Sequence, residues 1–220
     1  MQRRQNGSLT SNEKFGIIVT FQKGEKMNMN ILWDFDGTIF DTYPTIVKAF
    51  KELLTDQTIS EDDILKQMKM SSDVAIKHFD IEKSLFDKHF HVLEQKINPK
   101  DKPAFPHVED VLSFADTNVI VTHKSRQSTL DILAFFNMEH HFTEIITKDD
   151  GYKRKPDSGA YAYLHDKYQL DLVIGDRELD LKPARELGIK TCAFQNDDIE
   201  ADYHLTSYDQ FFTTVVNKNS

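Results

Sequence analysis

In 220 residues the chain has one cysteine, Cys192. No disulfide can form within it, and a reducing compartment is expected. Cys192 lies in the apolar run IKTCAF and reads as a small core side chain. No apolar run approaches the ~20 residues that a membrane span needs. MQRR with the later FGIIVTF is a poor secretory signal, because the apolar part is short and distant and no small-residue cleavage site follows. The expected location is the cytoplasm. Clustered basic charge is missing too: 27 Lys and Arg are scattered among 36 Asp and Glu, for a formal charge of −9. That argues against nucleic acid and membrane partners. A phosphorylated ligand would be repelled at long range, so it would need a local cationic site.

The first residues look unlike the rest. Residues 1–28 are expected to be a disordered leader or a misassigned start. Gly24-Glu25 is encoded by GGN-GAR, which can contain the GGAG of a bacterial ribosome-binding site just before Met27. Translation is therefore expected to begin at Met27 or Met29. Native protein beginning at Met1 or Gln2 would refute this.

Beyond the leader, β-rich runs alternate with helical patterns. NILWDF (30–35), NVIVT (118–122), TEIIT (143–147), LDLVIGD (170–176) and IKTCAF (189–194) are nearly continuous apolar runs. Strands covered on both faces read this way, which points to a parallel sheet. STLDILAFF, SGAYAYLHDKY and ELDLKPARELG supply helices between them, the last stopping at Gly188. The expected fold is α/β, a Rossmann-like doubly wound parallel sheet. Residues 44–104 break the rhythm. Ile46, Phe50, Leu53 and Leu54 fall at helical spacing, as do Phe86, Phe90, Leu93 and Ile97. ISEDDILKQM and SSDVAIKHF read as two more helices with serine caps. The expected organisation is an α/β core of residues 29–43 and 105–220 with a small helical domain, 44–104, inserted in it.

The reactive residues fall at strand ends, where open parallel sheets bind ligands. ILWDFDGTIFD drives the first strand into Asp34, Asp36 and Asp41. Thr122 ends the second strand, Lys155 follows the third in KRKPD, and Asp176 ends the fourth with Asp180 one helical turn later. Each is weak alone, but four at one sheet edge form a set with a chemical logic. A carboxylate can accept a phosphoryl group, an acid/base partner must handle the protons, and hard oxygen ligands suit Mg²⁺. A lysine and a hydroxyl would hold the remaining phosphate oxygens. Mg²⁺ would make the crowd of carboxylates tolerable.

These four motifs, in order from about residue 30 to the C-terminus, resemble those of the haloacid dehalogenase superfamily. The likeness is to its phosphoglycolate-phosphatase-like branch, with a helical cap inserted after the first motif. The resemblance implies Asp34 as nucleophile and Asp36 as general acid/base, whose backbone carbonyl also reaches Mg²⁺. It implies Thr122 and Lys155 as phosphate-binding residues, with backbone donors around His123 and Lys124. It further implies Asp176 as a metal ligand and Asp180 as supporting the metal directly or through water. The dehalogenases themselves lack the second aspartate, so Asp36 argues against dehalogenation. His107 departs from the Pro-Gly that often opens the helix before the second motif. Lys155 is preferred over Lys153 and Arg154 because Pro156 follows it; the other two are expected to be solvated. Asp41 could cap the first cap helix, and Lys69, Lys77 and His78 read as exposed helix charge. The expected activity is Mg²⁺-dependent hydrolysis of a small phosphorylated metabolite by a monomer or weak dimer. A sugar-phosphate mutase on the same core and a phospho-accepting switch are the alternatives.

Overall fold

The computed structural model describes residues 29–96 and 98–217. The leader and Ile97 lie outside them. Six strands form one parallel sheet: β1 (Asn30–Trp33), β2 (Thr117–Val121), β3 (Glu144–Ile146), β4 (Leu172–Gly175), β5 (Lys190–Phe194) and β6 (Tyr203–Leu205), in the spatial order β3-β2-β1-β4-β5-β6. β6 was not anticipated. It has only three residues, and its central His204 is exposed.

Successive residues of the strands point to opposite faces, and both faces are covered. Ile31, Trp33, Ile120, Ile174, Cys192 and Phe194 enter one apolar cluster. Leu32, Val119, Val121, Val173 and Ala193 enter another on the opposite side. The first is sealed by helices at Val108–Phe114 and Arg126–Phe135 and by the C-terminal aromatic segment around Tyr208 and Phe211. The second is sealed by helices at Gly159–Tyr168 and Glu178–Glu186. This two-sided burial is why the strands carry unbroken apolar runs. The buried indole N–H of Trp33 has a partner: it donates to Asn118 Oδ1 at 2.8 Å. No helix among the described residues is long and apolar enough to cross a membrane.

Between β1 and β2 the chain forms α1 (Tyr43–Lys51), α2 (Glu61–Met70), α3 (Ser72–His78) and α4 (Lys83–Lys96). The helices that follow are α5 (Val108–Phe114), α6 (Arg126–Phe135), α7 (Gly159–Tyr168) and α8 (Glu178–Glu186). Ser60 and Ser71 cap α2 and α3 by accepting from Asp63 N and Val74 N, as their placement before acidic first turns predicts. Tyr43, Ile46, Phe50, Ile64, Met68 and Phe86 form a third cluster among α1–α4. Leu53 and Leu54 lie past the end of α1, so the helix is shorter than their spacing suggests. The two ends of this insertion meet beside the sheet. Phe105 N donates to Ile39 O at 3.0 Å and Asp41 N to Pro103 O at 2.8 Å. Asp41 caps nothing, because Thr42 holds the N-cap position of α1 without a side-chain bond. His107 takes a left-handed φ of 65° at the start of α5, the conformation that glycine supplies without strain.

Candidate active site

The carboxyl ends of β1, β2 and β4 place Asp34, Thr122 and Asp176 along one edge. The ladder continues one residue past the strands: Asp34 N donates to Ile174 O and Thr122 N to Ile146 O, both at 2.9 Å. Two glycines make room here. A Cβ on Gly37 (φ +78°) would sit 2.2 Å from the Tyr43 ring and 2.9 Å from Asp176 Oδ2. A Cβ on Gly175 would sit 2.6 Å from Asp180 Cβ. The second glycine lets the first turn of α8 bring Asp180 against β4. Tyr161 fixes that turn by donating its hydroxyl to Asp180 O at 2.9 Å.

Asp34, Asp176 and Asp180 are all buried, and each offers a carboxylate oxygen within 4.8 Å of the others. Lys155 is buried between two of them, with Nζ 2.5 Å from Asp34 Oδ1 and 2.6 Å from Asp180 Oδ1; it also donates to Val121 O at 3.0 Å. Arg177, which the sequence reading passed over, lies 3.1 Å from Asp180 Oδ2, 3.7 Å from Asp34 and 3.7 Å from Asp176. The pattern sets the acidities. Burial raises the Asp34 carboxyl to about 6, the Asp180 charge adds to this, and Lys155 opposes it. Burial likewise raises Asp176 to about 7, against the opposing pull of Arg177. Burial also acts on Asp180, but Arg177 and Lys155 outweigh it and hold this carboxyl at about 2. Lys155 is raised because Asp180 and Asp34 outweigh its desolvation. Neither oxygen of Asp176 has a hydrogen-bond partner. A buried carboxylate without one is costly, and three hard oxygen donors suit a divalent cation such as Mg²⁺. The residues present fit that ion.

Asp36 stands apart from the three. Lys124, whose side chain is buried, reaches it with Nζ 3.0 Å from Oδ1. Burial acts to raise the Asp36 carboxyl, but Lys124 outweighs it and holds the group below its ordinary value. Thr122 Oγ1 accepts from Lys124 N at 3.1 Å, and Thr38, also unforeseen, donates to Asp34 Oδ2 at 3.4 Å. His123 Nε2 accepts from Lys155 N at 2.8 Å. Burial, with the charges of Lys155 and Arg154 adding to it, lowers the imidazole to about 2, so it stays neutral. Its proton then sits on Nδ1, facing Arg154 Nη2 at 3.3 Å. Two donors face each other there, so this contact is no hydrogen bond.

The three consecutive basic residues separate cleanly. Lys155 points inward, Lys153 has an 85% exposed side chain, and Arg154 lines a cavity of about 200 Å³ between the sheet edge and α1–α4. Asp36, His123, Lys124, Lys148, Arg154 and Arg177 line it from the core, and Ile46, Met68, Phe86 and Phe90 from the helices. A second cavity of about 270 Å³ shares Tyr43 with the first and is lined by Lys69 and Gln195; the three clustered aspartates line neither. Lys69 is not the solvated charge expected of it. It lies 3.8 Å from Asp176 Oδ2 and 3.4 Å from Gln195 O, whereas Lys77 and His78 are exposed.

Carboxylates gathered at the carboxyl edge of a doubly wound sheet, with a buried lysine among them and a cavity beneath a helical layer, mark the class of α/β protein that binds its ligand at the strand ends. The chain belongs to the haloacid dehalogenase-like hydrolases, whose family profile matches residues 31–194, well over half of its length. It is 25% identical over 191 residues to a phosphoglycolate phosphatase of Aliivibrio fischeri, covering 74% of this chain and 82% of that one. It is 24% identical over 199 residues to the pyrophosphatase PpaX of Halalkalibacterium halodurans, covering 80% and 92%. Among solved structures, a hydrolase of Streptococcus pneumoniae superposes with a TM-score of 0.56 at 29% identity, over 77% of this chain and 94% of that one.

Proposed function

We propose that the chain is a cytoplasmic, Mg²⁺-dependent phosphatase that hydrolyses a small phosphate monoester through an aspartyl phosphate on Asp34. The observation that carries this reading is Lys155 locked between Asp34 and Asp180 beside the Asp176 oxygens, which have no hydrogen-bond partner. Asp34, Asp176 and Asp180 would hold the metal, with the Asp36 carbonyl as the family resemblance implies. When bound, Mg²⁺ would neutralise charge on the carboxylates and on the phosphoryl oxygens.

The rest falls to the chain. Lys155 keeps the Asp34 carboxylate ionised and oriented for attack on phosphorus. Thr122 and the backbone at His123 and Lys124 bind phosphoryl oxygens. Asp36 is held ionised by Lys124 in the present arrangement. When Lys124 turns to the anionic substrate, Asp36 loses its counter-charge and its pKa rises. It can then protonate the leaving group and afterwards take a proton from the attacking water. In this reading residues 44–104 act as a cap whose closure excludes water.

The cavity also bears on the substrate. Phosphoglycolate and pyrophosphate, the compounds named in two relatives, each carry a second acidic group beside the phosphoryl group. Arg154 and Lys148 face the cavity, and Arg154 has only long protein contacts, so both are placed to meet such a group. Phosphate release from a panel of monoesters, with Mg²⁺ and with chelator, tests the reading. Metal-dependent release is expected, fastest for substrates with a second anion. Isomerisation without release would point to a mutase, and no turnover of any monoester by folded, metal-loaded protein would refute the phosphatase.

A further inference from the structure

The three clustered aspartates already face a cation supplied by the chain. Among the described residues, Arg177 is the one side chain with cationic nitrogen within 4 Å of all three: Nε lies 3.1 Å from Asp180 Oδ2 and 3.7 Å from Asp176 Oδ1, and Nη2 lies 3.7 Å from Asp34 Oδ1. Of the three aspartates, Lys155 reaches Asp34 and Asp180, and Lys69 reaches Asp176. Arg177 sits at the N-cap of α8 with extended backbone, φ −130° and ψ 154°. Its flexible side chain starts at the rim of the cluster, and it also lines the cavity under the helical layer.

A divalent ion bound by these carboxylates would use the oxygens that Arg177 approaches, and two cations cannot share them without strong mutual repulsion. The guanidinium has somewhere to go, because the cavity is on its open side. We infer that Arg177 is a resident stand-in cation: it holds Asp34, Asp176 and Asp180 together in the metal-free chain and is displaced toward the cavity when the metal binds. This rests on the metal-dependent reading above and adds a specific competitor to it. Arg177 is then a positioning residue that keeps the metal-free site folded and weakens its hold on the metal.

The test is calorimetric titration of Mg²⁺ into the full chain, wild type against Arg177→Met, together with melting temperatures in chelator and in Mg²⁺. Removing the competitor should tighten Mg²⁺ binding by about tenfold or more. It should lower the melting temperature in chelator, and Mg²⁺ should close most of that gap. Arg177→Lys keeps the charge but loses the forked reach, so its Mg²⁺ affinity should fall between the two; it decides the matter if the methionine variant does not fold. Equal or weaker Mg²⁺ binding by the variant, with wild type binding normally, overturns the inference and leaves the phosphatase reading standing. A wild-type chain that binds no Mg²⁺ overturns both.

Discussion

The sheet edge and the helical layer above it face each other across two cavities but hold charge in different ways. At the sheet edge Lys155 is buried with Asp34 and Asp180, at 2.5 and 2.6 Å. Across the gap the contacts are long and partly exposed: Lys69 to Gln195 O at 3.4 Å and to Asp176 at 3.8 Å, and Arg154 to Ser72 Oγ at 3.4 Å and to Asp73 at 3.9 Å. Breaking a buried pair costs about 3–5 kcal/mol, whereas exposed pairs contribute about 0–1 kcal/mol. On the proposed reading the short buried contacts fix the reacting groups, and the long ones resist parting of the helical layer from the core only weakly. In that reading chemistry belongs to the first region, and access and selectivity to the second.

Substitutions in the two regions should therefore fail differently. Asp34→Asn should have the largest effect, reducing turnover by about a thousandfold or more with the fold retained, as read by steady-state phosphate release and circular dichroism. Lys155→Ala should come next, lowering kcat by about a hundredfold or more. It should also destabilise the fold by about 3–5 kcal/mol, because two buried carboxylates lose their shared partner; denaturant unfolding measures this. Arg154→Met sharpens the contrast. It should raise KM by about tenfold with kcat within about twofold, and move the melting temperature by less than about 1 °C.

The smallest predicted effect is one of stability. The Asp176 carboxyl is raised to about 7, chiefly by burial. A raised acid favours the folded state while protonated, and this support disappears as the pH rises through about 7. In chelator at pH 8, Asp176→Asn should therefore melt about 2–4 °C above wild type, with the difference shrinking toward pH 5. His123 titrates in the opposite sense, since its folded-state value is lowered, but it is common to both proteins and cancels. Added Mg²⁺ should raise the melting temperature of wild type and not that of the variant.

What could be read from the sequence follows the same division. Five strands were legible because both faces of the sheet are buried, so each strand is continuously apolar. β6 was not, since its middle residue faces solvent. Neither was the segment around Tyr208 and Phe211, which seals the core in short 3₁₀ and π turns with no helical period. At the site, Asp34, Asp36, Thr122 and Asp176 were legible because they follow strand ends, Asp180 because it lies one helical turn past Asp176, and Lys155 because Pro156 follows it. Arg177 was missed because sequence shows that a residue is basic and not which way its side chain turns, whereas Arg154 is half exposed, in keeping with the solvated reading. Lys69 was misread for the same reason: on an amphipathic helix it looks solvated, and only the packing of α2 beside Tyr43 and Asp176 brings it inward.

The central claim is that Asp34 carries the phosphoryl group. Acid-quenching a single turnover and weighing the peptide that contains residue 34 tests it most directly. A transient adduct of one phosphoryl mass is expected on that peptide and is absent from Asp34→Asn. Phosphate release that proceeds with no such adduct at any time, and that survives in Asp34→Asn, would contradict it.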